Sequence, residues 1–275
     1  MTVTEPESLP SGVDVETPNL ARVYDYLLGG KDNFAADRAA AELSLSAVPQ
    51  MRSIALQNRR FLSRAVRFCA DAGIRQFVDI GAGLPTQDNV HQVAQHAAAD
   101  SHVVYVDNDG VVVSHGLALL AENRRTTVIE ADLRWPDELL ALPGLRALID
   151  LDQPVALLLV AILHFIRDED DPAGSVATLR DALAPGSYLV ISHAEFSPEH
   201  ASGTETRSDE TRALDGMYRR ATGPARTRAE VAAFFGDFEI VEPGLTEVWK
   251  WRPDDESVIN TSHVLTMVGG VARKG

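Results

Sequence analysis

Cysteine is nearly missing from this chain: Cys69 stands alone in 275 residues. An internal disulfide and a thiolate zinc cluster are thereby excluded, and the sequence calls for no metal. Lysine is almost as scarce, at Lys31, Lys250 and Lys274, so arginine supplies most of the positive charge. The net charge is −15 and no basic stripe is visible, which argues against DNA or RNA as a partner, because nucleic-acid binders displace counterions with clustered cations. No apolar run is long enough to cross a bilayer; the longest, Val155 to Ile166, contains His164. Residues 1–18 have neither the basic start nor the apolar stretch of a secretory signal, and they read as a flexible, acidic lead-in. The expected location is cytoplasmic. Internal repeats are absent, and nothing in the sequence speaks to oligomeric state.

What is present is an ordinary globular composition, 45% hydrophobic and 24% charged, enough for one large core with an appendage. Residues 19–73 read as helical. Asn19 after Pro18 is an N-cap and Gly29-Gly30 a stop; a second helix runs from Asn33 to about Ser46. A third carries Met51, Ile54, Ala55, Asn58, Leu62, Ala65, Val66 and Cys69 at helical spacing and stops at Gly73. The rhythm then changes. Strands at 76–80, 102–106, 126–131, 155–161 and 187–193 alternate with helices, the signature of βαβ units and a parallel sheet. After His193 come a helical insertion at 198–222, a helix around 228–235 and two closing strands, 238–242 and 263–272. The expectation is a doubly wound, seven-stranded α/β sheet at 74–275 beneath a helical N-terminal cap.

Ligands of such sheets bind beyond the carboxyl ends of the strands, where the strand order reverses. The first strand ends in Asp79-Ile80-Gly81-Ala82-Gly83, and glycines there let a ligand approach the main chain. Asp107 closes the second strand, 24 residues beyond Gly83, where an acid can accept both hydroxyls of a ribose. Asp132 closes the third with Leu133 beside it, suited to an adenine amino group and ring. His164 follows the fourth. Taken singly, Asp107 and Asp132 are equally well explained as helix caps; their common position at strand ends is what points to a ligand. The third glycine of the dinucleotide fingerprint is missing, because Leu84-Pro85 follows Gly83, and Asp79 inside the turn would repel a pyrophosphate. A cofactor with a sulfonium and an ammonium suits an acidic rim better. S-adenosylmethionine is such a cofactor.

These residues resemble the motifs of class I S-adenosylmethionine-dependent methyltransferases. More narrowly, the chain resembles an actinobacterial family of such proteins long catalogued as a domain of unknown function. The string carrying that resemblance runs Arg22-Val23-Tyr24-Asp25-Tyr26-Leu27-Leu28-Gly29-Gly30-Lys31-Asp32-Asn33-Phe34; a second runs from Asp79 to Thr86 with Asn89-Val90-His91, and a third from Trp251 to Asp254. The resemblance implies that Asp79, Gly81 and Gly83 bind the methionine part of the cofactor, Asp107 and Asn108 the ribose, and Asp132 with Leu133 the adenine. Ala161 would add main-chain contacts beside the sulfonium. No established methyl acceptor comes with it.

Two features need their own reading. The N-terminal string is either a helix stop followed by a new cap, or a lid in which Tyr24, Gly30, Lys31 and Asn33 fold over the cofactor and exclude water. His164 is the candidate general base for an oxygen acceptor, or else a packed, hydrogen-bonded histidine. His193 and Tyr218 are further candidates to face the acceptor. The fourth strand leads into Ala161-Ile162-Leu163-His164-Phe165, with no Asn-Pro-Pro-Tyr string to suggest an exocyclic amine, so the expected acceptor is a small molecule. Two other classes remain open: an NAD-type oxidoreductase using Asp107 for the ribose, and a non-catalytic S-adenosylmethionine-binding regulator.

Overall fold

The structure, a computed structural model, describes residues 14–85, 88–120, 123–196, 226–254 and 265–275. The expected insertion with Tyr218 and the first part of the lead-in lie outside the described residues.

Asn19 starts the first helix, α1 (Leu20–Leu27): its side-chain oxygen accepts from the N–H groups of Ala21 and Arg22 at 2.8 and 3.3 Å. The second, α2 (Ala35–Ala47), is joined to it by Asp37, which is completely buried. Asp37 accepts from Arg22 Nε and from the N–H groups of Asn19 and Phe34, each at 2.8 Å. Removing one partner of such a buried pair strands the other, at a cost of about 3–5 kcal/mol. Arg22 also donates to the carbonyls of Asp14 and Thr17, so residues 14–17, whose composition suggests flexibility, are held against α1. The long helix α3 (Met51–Asp71) buries Ala55, Phe61, Leu62, Ala65, Val66 and Cys69.

The sheet is built from β1 (Gln76–Ile80), β2 (His102–Asp107), β3 (Thr126–Glu130), β4 (Ala156–Val160), β5 (Tyr188–Phe196), β6 (Glu239–Ile240), β7 (Thr246–Glu247) and β8 (Leu265–Arg273). Their order is β3-β2-β1-β4-β5-β8-β6, with β7 also on β8, and the first five are parallel. β8 runs antiparallel to β5 over nine pairs, from Tyr188 opposite Arg273 to Phe196 opposite Leu265. It therefore lies between β5 and β6, where the sequence suggested only a closing pair of strands. β7 was not legible because two residues carry no alternation.

Each strand sends alternate residues to opposite faces, giving two cores. Phe77, Val103, Tyr105, Ala156 and Leu158 pack with α1, α2, α3, α4 (Val90–Ala97) and α5 (Gly110–Leu120). Val78, Ile80, Val104, Val106, Leu157 and Leu159 pack with α6 (Pro136–Ala141), α7 (Pro143–Arg146), α8 (Pro172–Asp181) and α9 (Arg228–Ala233). The first core is continuous from the N-terminal helices into the sheet. The chain leaves β1 in one direction for β2 and β3 and returns on its other side to β4, so the switch point lies between β1 and β4. No helix among the described residues is long and apolar enough to cross a membrane.

Candidate functional site

A cavity of about 580 Å³ opens at the carboxyl ends of β1 to β4. Four strand-end loops form one wall, and α1 with α3 forms the other. Asp79, Gly81, Gly83, Asp107, Asn108, Asp132, Leu133, Ala161, His164 and Tyr24 all border it.

On the sheet side, Gly81 and Gly83 have φ of +74° and +65°. A methyl on Gly81 would strike the Ile162 side chain, whereas Gly83 has nothing within 4 Å on that side. The turn thus presents bare backbone where a side chain would intrude. Asp107 fixes it: one carboxylate oxygen accepts from the Gly83 N–H at 2.9 Å and the other from the Asp109 N–H at 3.0 Å. Burial raises the Asp107 carboxyl against those hydrogen bonds. Asp79 is 4% exposed. Burial pushes its carboxyl up to about 7, with the Arg59 guanidinium pulling it down and Asp107 pushing it further up. Burial also raises Asp132, but hydrogen bonds from Arg134 and from the Asn108 amide outweigh it and hold the carboxyl low.

At the end of β4, Ala161 sits at φ +58°, a left-handed conformation that costs a side-chain-bearing residue about 1–2 kcal/mol. A directional series of hydrogen bonds holds it there. The Ala161 N–H donates to Ser192 Oγ at 3.0 Å, Ser192 Oγ donates to Asn58 Oδ1 at 2.6 Å, and Asn58 Nδ2 donates to Tyr24 Oη at 3.1 Å. Tyr24 Oη then donates to the Ala55 carbonyl at 3.0 Å. Ser192 and Asn58 are buried. Three elements, β5, α3 and α1, are thereby tied to one strained peptide beside the cavity.

The N-terminal string divides. Tyr24 and Asp25 reach the cavity wall; Gly30, Lys31 and Asn33 do not. Asp25 accepts from the Asp32 N–H at 3.0 Å and from Asn33 Nδ2 at 2.9 Å, and a methyl at Gly30 would fall inside its carboxylate. Gly30 and Asn33 therefore build the pocket for Asp25, while Lys31 is exposed. Burial raises the Asp25 carboxyl against these hydrogen bonds.

His164 is buried, and its Nδ1 accepts from the Ala194 N–H at 3.4 Å. Desolvation, then His193 and Arg226, holds its pKa well below the usual histidine range. His193 lies behind it with no exposed surface and does not border the cavity. Sequence reasoning missed Asn58, Arg59, Ser192 and Asp25 as site residues. The available signal was a polar pair, Asn58-Arg59, inside the apolar rhythm of α3.

The family model described as S-adenosyl methyltransferase matches residues 6–275. A Thermobifida fusca YX protein described as a candidate methyltransferase is 43% identical, with 96% of this chain and 98% of that one aligned at a TM-score of 0.85. A DUF574 family protein of Streptomyces avermitilis is 41% identical, over 95% of this chain and 99% of that one, also at 0.85. The plantazolicin methyltransferase BamL, crystallised with a desmethyl analogue and S-adenosylhomocysteine, shares the fold at 11% identity and a TM-score of 0.53, over 92% and 95% of the two chains. No curated protein matches. The acid-bearing pocket at the switch point and the match over residues 6–275 agree: this chain belongs to the S-adenosyl methyltransferase family, with S-adenosylmethionine as its cofactor and methyl transfer as its reaction.

Proposed function

We propose that the cavity holds S-adenosylmethionine along the strand ends and admits a small, largely apolar acceptor from the side of the N-terminal helices. The observation that carries this is the single cavity in which Asp79, Asp107 and Asp132 stand in sequence along three successive strand ends. Asp79 with the Gly81 and Gly83 backbone would take the aminoacyl end. Asp107 and Asn108 would take the ribose; the Asp107 oxygens keep lone pairs beyond those given to Gly83 and Asp109. Leu133 would cover the adenine, whose amino group would share Asp132 with Arg134. Ala161 would contribute backbone beside the sulfonium. The acids fit the cationic cofactor and would repel a dinucleotide's phosphates.

When bound, S-adenosylmethionine supplies an electrophilic methyl group on a sulfonium. The chain's own residues would orient and desolvate: Met51, Ile54, Leu62, Phe165, Leu265 and Met267 line the remaining space with apolar surface. His164 is poorly suited to act as a base, because its depressed pKa makes it weakly basic and Nδ1 already accepts a backbone N–H. This favours an acceptor that is nucleophilic by itself, such as an amine, a thiolate or an acidic hydroxyl. We take the Tyr24–Phe34 string as a mark of the narrower actinobacterial family, and a cytoplasmic enzyme as the setting.

The test is transfer of a labelled methyl group in fractionated cell extract. Label is expected in small, organic-extractable products; label confined to protein or nucleic acid would overturn the acceptor class. His164→Ala is expected to retain cofactor binding and most of its turnover.

A further inference from the structure

His164 is held in one tautomer. It lies on a single 3₁₀ turn, Leu163–Phe165, shortly after β4. Arg226 straps that turn from behind: Nη1 donates to the Leu163 carbonyl at 2.7 Å and Nη2 to the Ile166 carbonyl at 2.9 Å. Nη2 also pairs with Asp168 at 2.7 Å. Because the Ala194 N–H donates to Nδ1, that nitrogen is bare, and a neutral ring carries its proton on Nε2. Burial, then His193 and Arg226, keeps the ring neutral. Nε2 has no hydrogen-bond partner among the described residues. Nor is it one of their sealed-off unpartnered atoms, which are Arg180 Nε and Trp251 Nε1. The residue is 8% exposed and borders the main cavity, so Nε2–H is a free donor with access to it. Ala194 stands opposite Met267 in the ladder, and both border the cavity with Phe165 and Leu265, on its apolar side. On the facing helical wall, Tyr24 has already given its O–H to the Ala55 carbonyl, and Asn58 is tied between Ser192 and Tyr24.

We infer that the methyl acceptor is an acidic hydroxyl compound, a phenol or enol, whose ionised oxygen receives the His164 Nε2–H while it attacks the methyl group. This rests on the cofactor placement proposed above. The choice among acceptors follows from lone pairs. A neutral amine has a single one, and the pair that attacks the methyl group cannot also accept a hydrogen bond. An ionised hydroxyl has pairs to spare, so one accepts from His164 while another attacks. Sulfur accepts an N–H only weakly, which sets a thiolate behind it. The hydroxyl proton passes to bulk water before transfer. The oxygen–carbon bond then forms as the carbon–sulfur bond breaks, and the sulfonium becomes the neutral thioether of S-adenosylhomocysteine. A donor binds a charged oxygen more strongly than a neutral one, so His164 favours the ionised acceptor without itself removing a proton. The methyl ether produced, being neutral, is held less tightly.

4-Nitrophenol tests this, because its ionised form is yellow and its neutral form is not. Its absorbance is titrated against pH on protein saturated with S-adenosylhomocysteine. The bound probe is expected to ionise about one to two pH units lower in the wild type than in His164→Phe, the strength of one hydrogen bond to a charged oxygen. His164→Gln, which keeps an N–H donor, should fall between them. Equal titration in the wild type and His164→Phe, or no binding of 4-nitrophenol to the wild type, would overturn the proposal. Nitrogen-15 NMR of labelled histidine in the wild type needs no variant to fold. A proton on Nε2 beside a bare Nδ1 is expected, with the Nε2–H resonance moving when 4-nitrophenol binds; the opposite tautomer or an unmoved resonance overturns the proposal. Turnover of His164→Ala is retained where the acceptor ionises unaided and is lost progressively as pH falls below that range. If S-adenosylhomocysteine itself fails to bind, the cofactor placement falls and this proposal with it; failure of 4-nitrophenol alone leaves the placement standing.

Discussion

The two walls of the cavity are built by different rules. The sheet wall takes its residues from strand ends, and the ladder sets their spacing: Asp79 lies opposite Tyr105, two residues short of Asp107, and Asp107 lies opposite Glu130. Each acid is delivered by its own strand, so the ladder sets where the three acids stand, while side-chain hydrogen bonds tie down the Gly83 turn and Ala161. The helical wall is delivered by α1 and α3, whose axes fix which face points inward but not which polar side chain meets which. There the geometry is held by Asp37, Asn58 and Asp25, each satisfying several partners at once. Lesions in the sheet wall should therefore register first in ligand affinity, and lesions in the helical wall first in stability.

Asp79→Asn should show the largest effect and the sharpest split. Loss of the ammonium's counter-charge should weaken S-adenosylhomocysteine on the order of 100-fold. The ligand-free protein should nevertheless become more stable. In the fold the carboxyl holds its proton up to about 7, whereas an unfolded aspartate loses it near its ordinary value of about 3.9. The folded state binds more protons across that window, so this group's contribution to stability declines as pH rises through it. Asparagine removes the decline, a gain of about 2–4 kcal/mol at pH 8. Weaker binding with a lower melting temperature at pH 8 would show that Asp79 belongs to the scaffold.

Asn58→Leu is the counterpart in the helical wall. It leaves Ser192 without its acceptor and Tyr24 without its donor, at an expected cost of about 2–4 kcal/mol in chemical denaturation. A double-mutant cycle with Tyr24→Phe should give a coupling above roughly 0.5 kcal/mol. Additivity would break the series into unrelated bonds, and with it the link from α1 to Ala161.

These two residues also show how far the sequence could be read. Asp79, Asp107 and Asp132 were legible because a strand's end can be found from alternation and the residue that closes it is then known. The doubly wound, largely parallel sheet followed from the alternation of strands with helices, and α1 from Asn19 and Gly29, but the place of β8 between β5 and β6 did not. Asn58 was visible only as one more position on the buried face of α3, since periodicity reports burial and not partners. Ser192 was hidden for the same reason inside an apolar strand. Arg59 is contiguous with Asn58 but reaches Asn89, thirty positions along the chain, and its charge lowers the carboxyl of Asp79, twenty positions away. His164 was legible as a wall residue, yet its depressed basicity comes from burial beside His193 and Arg226, which no local pattern announces.

His193 tests the comparison from the sheet side without touching the cavity. Burial is the main cause holding its pKa down to about 4. The unfolded chain takes up the proton first as pH falls from about 6.5, so the stability tied to neutral His193 is present above that value and is lost toward pH 4. His193→Gln should flatten the acid limb of the stability profile by about 2–3 kcal/mol between pH 7 and 4, with His164 contributing what remains. Cofactor affinity at pH 7.5 should stay within about threefold, the range of a contact not made. A large loss of affinity would mean that β5 positions the ligand more directly than the cavity wall suggests.

The smallest effect is expected at the N-terminal string, where it decides what that string is for. Asn33 donates to Asp25 and to the Gly30 carbonyl, whereas Lys31 is exposed at the tip of the turn. If the turn serves as scaffold for Asp25, Asn33→Ala should cost about 1 kcal/mol of stability, the ordinary value of one partly buried hydrogen bond. The affinity for S-adenosylhomocysteine would then fall only a few-fold, through Asp25, and Lys31→Ala would change neither quantity. If the turn instead closes over the ligand as a lid, Lys31→Ala and Asn33→Ala should both accelerate ligand release while leaving the melting temperature of the ligand-free protein unchanged. Dissociation rates by stopped flow, set beside apo melting curves for the two variants, separate these outcomes. The arrangement around Asp25 favours the first, because the polar contacts of Asn33 go to Asp25, the Gly30 carbonyl and Arg38, and Asn33 itself does not border the cavity.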